Sequence, residues 1–154
     1  MSPNLSVPGP PGTLATMRNG YPHWLVIPTR WGDNDVYGHV NNVVYYAFMD
    51  TAINTYLIAE GGLDIHGGDT IGLCVQSTCD YRAPLSFPAP VHAGLRVGHL
   101  GRSSVRYEIG LFAPDTGTPA AEGTFTHVFV NRETRRPVEI AAPLRPALEK
   151  LLVP

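Results

Sequence analysis

The stretch from Val43 to Ala59 constrains this chain more than any other, because it reads as a helix that is apolar around most of its circumference. Val44, Phe48, Ala52 and Tyr56 recur at intervals of four, and Tyr45, Met49, Ile53 and Leu57 run beside them. Residues spaced by three and four share a helix face. Asp50, Thr51, Asn54 and Thr55 form the one narrow polar stripe. A helix of that kind must be wrapped on most sides by the rest of the chain. Asn41 or Asn42 is placed to cap its start, and Gly61-Gly62 to stop it.

The material available for wrapping is strand-like. His23 to Trp31 is extended and apolar, and Pro28, which has no N–H for a ladder, points to an edge or a bulge. Beyond the helix, Ile71, Leu73, Val75, Ser77, Cys79 and Tyr81 share one face of a long strand that ends at Pro84. Leu95, Val97 and His99 alternate with polar or small residues. Val105, Tyr107, Ile109 and Leu111 point one way while Arg106 and Glu108 point the other. Gly101 and Arg102 sit at a hairpin position between those two strands. Ala121 to Val130 gives a further strand with Phe125, His127 and Phe129 on one side, and a short helix follows from about Leu144 to Leu152. One strand, one long helix and four antiparallel strands pack most economically as an α+β domain, a curved sheet wrapped around the helix.

The chain has 154 residues, a natural size for one core, and its 16 Gly and 15 Pro favour many turns. Residues 1–20, rich in Pro, Gly and Ser, are expected to be a disordered tail, and 21–154 the single domain. A net charge of -2 supplies no global field for nucleic acid. Cys74 and Cys79 lack a second ligand pair for zinc and are expected to be small, buried and reduced. None of the six histidines has ligand spacing, so no metal and no resident cofactor are expected. No segment approaches the roughly 18 apolar residues of a membrane span, and the N-terminus lacks the apolar run of a signal peptide. A cytoplasmic location is the default expectation.

The chemistry is concentrated in residues 30–46, RWGDNDVYGHVNNVVYY. Two carboxylates, a histidine and two asparagines stand in the turn just before a helix. A helix N-terminus offers unpaired N–H groups and partial positive charge, which stabilise a carbonyl oxygen under attack. A carboxylate beside it is a nucleophile or a base for water. The residues alone leave a second reading open, in which the acids are caps and turn formers.

The same segment resembles the signature of the 4-hydroxybenzoyl-CoA thioesterase-like branch of the hot-dog superfamily: Asp33 and Asp35 as Asp-x-Asp, Gly38 to Asn42 as Gly-His-Val-Asn-Asn, then an aromatic at Tyr45. Tyr81-Arg82-Ala-Pro84, Gly101-Arg-Ser-Ser104, Glu122-Gly123-Thr124 and the turn from Asn131 to Pro137 extend the resemblance over about residues 24 to 140. It implies a hot-dog fold and an acyl-CoA thioester hydrolase, acting on a fatty or aromatic acyl group. Asp35 then takes the place of the catalytic carboxylate, Asn42 supplies the oxyanion N–H, and His39 orients Asp35 or water or is a structural hydrogen-bonding residue. Asp33 orders the turn, and Asp50 has a structural role. Asn41, Tyr45, Tyr81, Arg82, Arg102, Ser103 and Arg132 are the expected substrate-binding residues, the arginines for coenzyme A phosphates. Tyr46, Phe48 and Met49 are further candidates to line an acyl pocket. Coenzyme A enters only as part of the substrate. The resemblance also implies a homodimer or homotetramer with sites between subunits. Two other functions share the fold: a non-catalytic protein that binds acyl-CoA or acyl-carrier protein, and an acyl-thioester dehydratase.

Overall fold

In the computed structural model the described residues are 19–154; the tail expected at 1–20 therefore lies outside them except for Asn19 and Gly20, which form a turn. The elements are β1 (His23–Ile27), α1 (Asn42–Ala59), β2 (Thr70–Tyr81), β3 (Val91–Leu100), β4 (Ser104–Phe112), β5 (Ala121–Asn131) and α2 (Leu144–Glu149). The strands form one antiparallel sheet in the order β1-β3-β4-β5-β2. Pro28 follows β1, which is an edge strand as its composition suggests. β2 is the other edge.

The sheet lays one face on α1, the arrangement expected of a hot-dog fold. Tyr45, Phe48, Met49, Ala52, Ile53, Tyr56 and Leu57 are the buried side chains of the helix. They meet Leu95, Val97, Val105, Tyr107, Ile109 and Leu111, all shielded from water. Helix propensity does not hold this segment: its valines, isoleucines and tyrosines each cost about 0.5 kcal/mol relative to alanine. Burial of each large apolar side chain contributes roughly 1.5–3 kcal/mol and decides the outcome. Gly123 lets the helix settle, since a Cβ there would meet the Met49 sulfur at 2.6 Å and the Thr78 carbonyl. The Asn41 side-chain oxygen caps the start by accepting from Val43 N–H at 3.1 Å. Gly62, at φ +66, turns the chain after the last turn so that Leu63 N–H reaches Leu57 O at 3.0 Å. α2 covers that end, where Tyr56 Oη donates to Ala147 O at 2.6 Å.

Three expectations need correction. The alternation in β2 does not run through from Ile71 to Tyr81, because a bulge between Cys74 and Gln76 shifts the register against β5. Ile71 and Leu73 pair with Val130 and Val128, while Ser77 and Cys79 pair with Phe125 and Gly123, so the odd positions change faces at Val75. A second bulge, between Val97 and His99 in β3, likewise sends His99 into solvent although Leu95 and Val97 are buried. Cys74 is exposed on the β2 edge, and Cys79 is half-buried; both are free thiols. A single chain also leaves one side of α1 open, with Val43 and Ile58 exposed.

Candidate active site

Between β1 and α1 the chain makes a tight turn built on Asp33. Its carboxylate is 1% exposed and accepts from Arg30 N–H at 2.7 Å and from Arg30 Nε and Nη2 at 3.0 and 2.8 Å. Its carbonyl accepts from Asn41 N–H at 2.8 Å. Asp33 therefore joins the entrance of the turn to the head of the helix.

Asp35 lies in different surroundings. Its N–H donates to His39 O at 2.9 Å and its carbonyl accepts from Gly38 N–H at 3.1 Å, a reversal that Gly38 permits with φ +85. One carboxylate oxygen, Oδ1, accepts from Tyr37 N–H at 2.9 Å. The other takes no partner among the described residues, and the side chain is half-buried.

The end of β2 and the strap after it, residues 82–87, hold this turn from the far side. Val40 N–H donates to Leu85 O at 2.8 Å, Phe87 N–H to Asn34 Oδ1 at 3.1 Å, and Ser86 Oγ to Gly38 O at 3.2 Å. Leu85 N–H donates to Tyr45 Oη at 3.1 Å, and Tyr81 Oη donates to Asn42 O at 2.8 Å. Sequence reasoning missed Asn34, Leu85 and Ser86. The only sign of them was the Pro84 and Pro88 pair, which marks irregular chain.

Asp35, His39, Asn42, Tyr45, Tyr81 and Arg82 line one open cleft, with Val40, Ala83 and Pro84. The Asn42 N–H, first in α1, has no hydrogen-bond partner among the described residues. The two residues that keep an unpartnered carboxylate oxygen and an unpartnered helix-head N–H thus line the same cleft. Burial pushes the Tyr45 hydroxyl above its ordinary range. Burial, followed by the neighbouring Cys79 thiol, pushes Tyr81 up to about 12, so both stay protonated near neutrality.

The remaining candidates make other contacts. Asn41 spends its side-chain oxygen on the cap. Arg82 pairs with Glu122 at 2.8 Å at the cleft rim. Phe48 and Met49 belong to the core; Tyr46 is half-buried, tilted against Phe125 at 6.3 Å. Asp50 is exposed and accepts from Asn54 Nδ2 at 3.0 Å. Arg102 and Ser103 stand in the β3–β4 hairpin, which with Arg132 occupies the opposite end of the sheet from Tyr81. Within one chain these three do not reach the cleft. Arg132 donates from Nε to Gly68 O and from Nη2 to Ile65 O, both at 2.8 Å, which closes the loop before β2. Among the described residues no group of three or more His, Cys, Asp and Glu side chains is placed to hold a metal ion, and no helix is long and apolar enough to cross a membrane.

A profile of the thioesterase-like superfamily matches residues 29–148. The PA5185 protein of Pseudomonas aeruginosa strain PAO1 is 58% identical, with a TM-score of 0.86 over 88% of this chain and 94% of that one. PA2801, a proposed thioesterase of Pseudomonas aeruginosa, is 32% identical, with a TM-score of 0.76 over 82% of this chain and 97% of its own. A thioesterase of Thermus thermophilus, solved with coenzyme A and zinc, is 29% identical, with a TM-score of 0.69 over 84% of this chain and 98% of its own. No curated protein sequence matches significantly.

Proposed function

The chain belongs to the thioesterase-like superfamily, and from that premise we propose that it hydrolyses acyl-CoA thioesters to a free acid and coenzyme A, with Asp35 as the catalytic carboxylate. The observation that carries this is that Asp35, with one unpartnered carboxylate oxygen, and Asn42, with an unpartnered N–H at the helix head, line one cleft. The thioester carbonyl oxygen accepts from Asn42 N–H, where the partial charge of the helix head favours the developing oxyanion. Asp35 then takes a proton from water as the water oxygen bonds to the carbonyl carbon, or bonds to that carbon itself and is released by water afterwards. In both routes the C–S bond breaks and its electron pair leaves as the coenzyme A thiolate, a good leaving group that needs little protonation.

Coenzyme A is supported by the Thermus thermophilus thioesterase, which was solved with it. We assign the acyl group to the fatty or aromatic class, since the cleft wall carries Tyr45 and Tyr81. The working unit is a homodimer. Among the described residues β2 offers an unpaired edge of 12 residues, with Val75 60% exposed, and an edge of that length invites a partner strand. Two copies joined antiparallel along β2 set the Thr70 end of one against the Tyr81 end of the other. Arg102 and Ser103 of the partner subunit then approach the cleft that Arg82 borders, which supplies the phosphate donors a single chain keeps at its far end.

The test is thiol release from a panel of short, long, benzoyl and phenylacetyl CoA esters, with Asp35→Asn beside the wild type. Turnover by the wild type alone supports the proposal. A wild type that binds the esters without releasing thiol makes the protein a non-catalytic binder. Water added across an enoyl ester without thiol release makes it a dehydratase.

A further inference from the structure

The end of β2 carries a tyrosine whose hydroxyl is used in an unusual way for its exposure. Tyr81 is 45% exposed, so water is available to its hydroxyl, yet that hydroxyl donates to Asn42 O at 2.8 Å. The ring stands edge-on to Tyr45, with centroids 4.9 Å apart and planes at 75°. Tyr45 is itself fixed at both ends, buried along its ring and bonded at its hydroxyl by Leu85 N–H at 3.1 Å. The position of the Tyr81 hydroxyl is therefore set by the strap and the core and not by solvent.

The carbonyl it holds flanks the same Cα as the Asn42 N–H. On the other side of that Cα, Asn41 N–H is held by Asp33 O at 2.8 Å and Asn41 O accepts from Val44 N–H at 2.9 Å. The peptide after Asn42 is held at its N–H by the Asn41 side-chain oxygen at 3.1 Å, and Tyr81 anchors the carbonyl of that same peptide, where a first turn otherwise frays. With Tyr81 in place, the direction of the Asn42 N–H is fixed from both sides.

We propose that Tyr81 is a positioning residue for the thioesterase reaction, clamping the head of α1 so that the Asn42 N–H stays aimed into the cleft beside Asp35. This rests on the function proposed above and adds a role that acts through Asn42, with no contact to the substrate required. A donor displaced by a fraction of an ångström loses much of its preference for the transition state, and losses of about 10–100-fold in rate are ordinary for such displacements.

The experiment is Tyr81→Phe, which removes one oxygen and keeps the ring on Tyr45, compared with wild type and Asp35→Asn. The clamp requires kcat to fall about 10–100-fold, with KM and Tm close to wild type. It also requires faster amide hydrogen exchange at Asn42, a readout independent of turnover. Because Tyr81 remains protonated throughout, the ratio of wild-type to variant kcat should be constant between about pH 6 and about pH 9. A kcat within twofold of wild type overturns the clamp. So does a raised KM with kcat unchanged, which would make Tyr81 a binding contact, and so does unaltered exchange at Asn42. If wild type turns over, Asp35→Asn does not, and Tyr81→Phe matches wild type, the clamp alone fails. If wild type releases thiol from no ester, the clamp and the thioesterase reading fall together.

Discussion

Asp33 and Asp35 stand two residues apart in one turn, yet Asp33 receives the Arg30 backbone N–H and guanidinium while Asp35 keeps one oxygen without a partner among the described residues. The two acids should therefore fail in different ways. Asp35→Asn should reduce thiol release to background and leave the unfolding midpoint where it is, because its one bond, from Tyr37 N–H, survives on an amide oxygen. Asp33→Asn should lower stability by roughly 1–3 kcal/mol, the range for a charge-assisted bond at a buried carboxylate, discounted because the Arg30 side chain is largely in water. Urea unfolding and steady-state rates on both variants check this. Turnover at wild-type rate in Asp35→Asn would remove Asp35 from the chemistry.

Arg132 offers a second separation of structure from binding. Its Nε and Nη2 hold Gly68 O and Ile65 O, so Arg132→Ala leaves two loop carbonyls without donors. The expected cost is about 1–2 kcal/mol, seen as a lower urea midpoint, with KM for an acyl-CoA ester unchanged. A large rise in KM at unchanged stability would place Arg132 in the phosphate-binding set.

What the sequence disclosed and what it hid follow from range. α1 was legible because its apolar repeat persists through Val44, Phe48, Ala52 and Tyr56, and β4 because Val105 to Leu111 alternates strictly with polar or small residues. The bulges at Val75 and Gly98 were not legible, since a bulge is set by the partner strand and leaves no mark on local composition. The Asp35 turn was visible as a motif. The strap that holds it was hidden, because Leu85 and Ser86 act through backbone groups and a hydroxyl across forty residues or more. The resemblance gave Arg132 a phosphate role; only geometry reveals that its Nε and Nη2 hold two loop carbonyls.

Acidification should weaken the fold. Burial holds His127 below the ordinary histidine range, opposed in part by Asp50, and does the same to His23, opposed in part by Glu60. In the unfolded chain both return to about 6.5. Below that value the unfolded state binds more protons than the folded one, so stability is full above about pH 6.5 and falls as pH drops toward the folded values. Urea midpoints between about pH 8 and about pH 5 should show this decline, and His127→Gln should flatten it. A midpoint that rises on acidification would contradict the assignment.

The proposed dimer makes the strictest demand. If β2 pairs with its copy, wild type should sediment at twice the 16.7 kDa chain mass, and Val75→Lys, placing a charge on the exposed edge, should shift it toward monomer. Mass alone does not establish a shared site, but complementation does. In the antiparallel pairing one cleft takes Asp35 from its own chain and Arg102 from the partner subunit. An Arg102→Ala dimer then has two clefts with weakened nucleotide binding, and an Asp35→Asn dimer has two dead ones. Mixing the two variants and allowing exchange creates heterodimers in which one cleft carries both defects and the other carries neither. At equal mixing about a quarter of all clefts should regain wild-type kcat and KM. If Arg102 instead served the cleft of its own chain, every cleft in the mixture would keep one defect, and no wild-type component would appear at any mixing ratio.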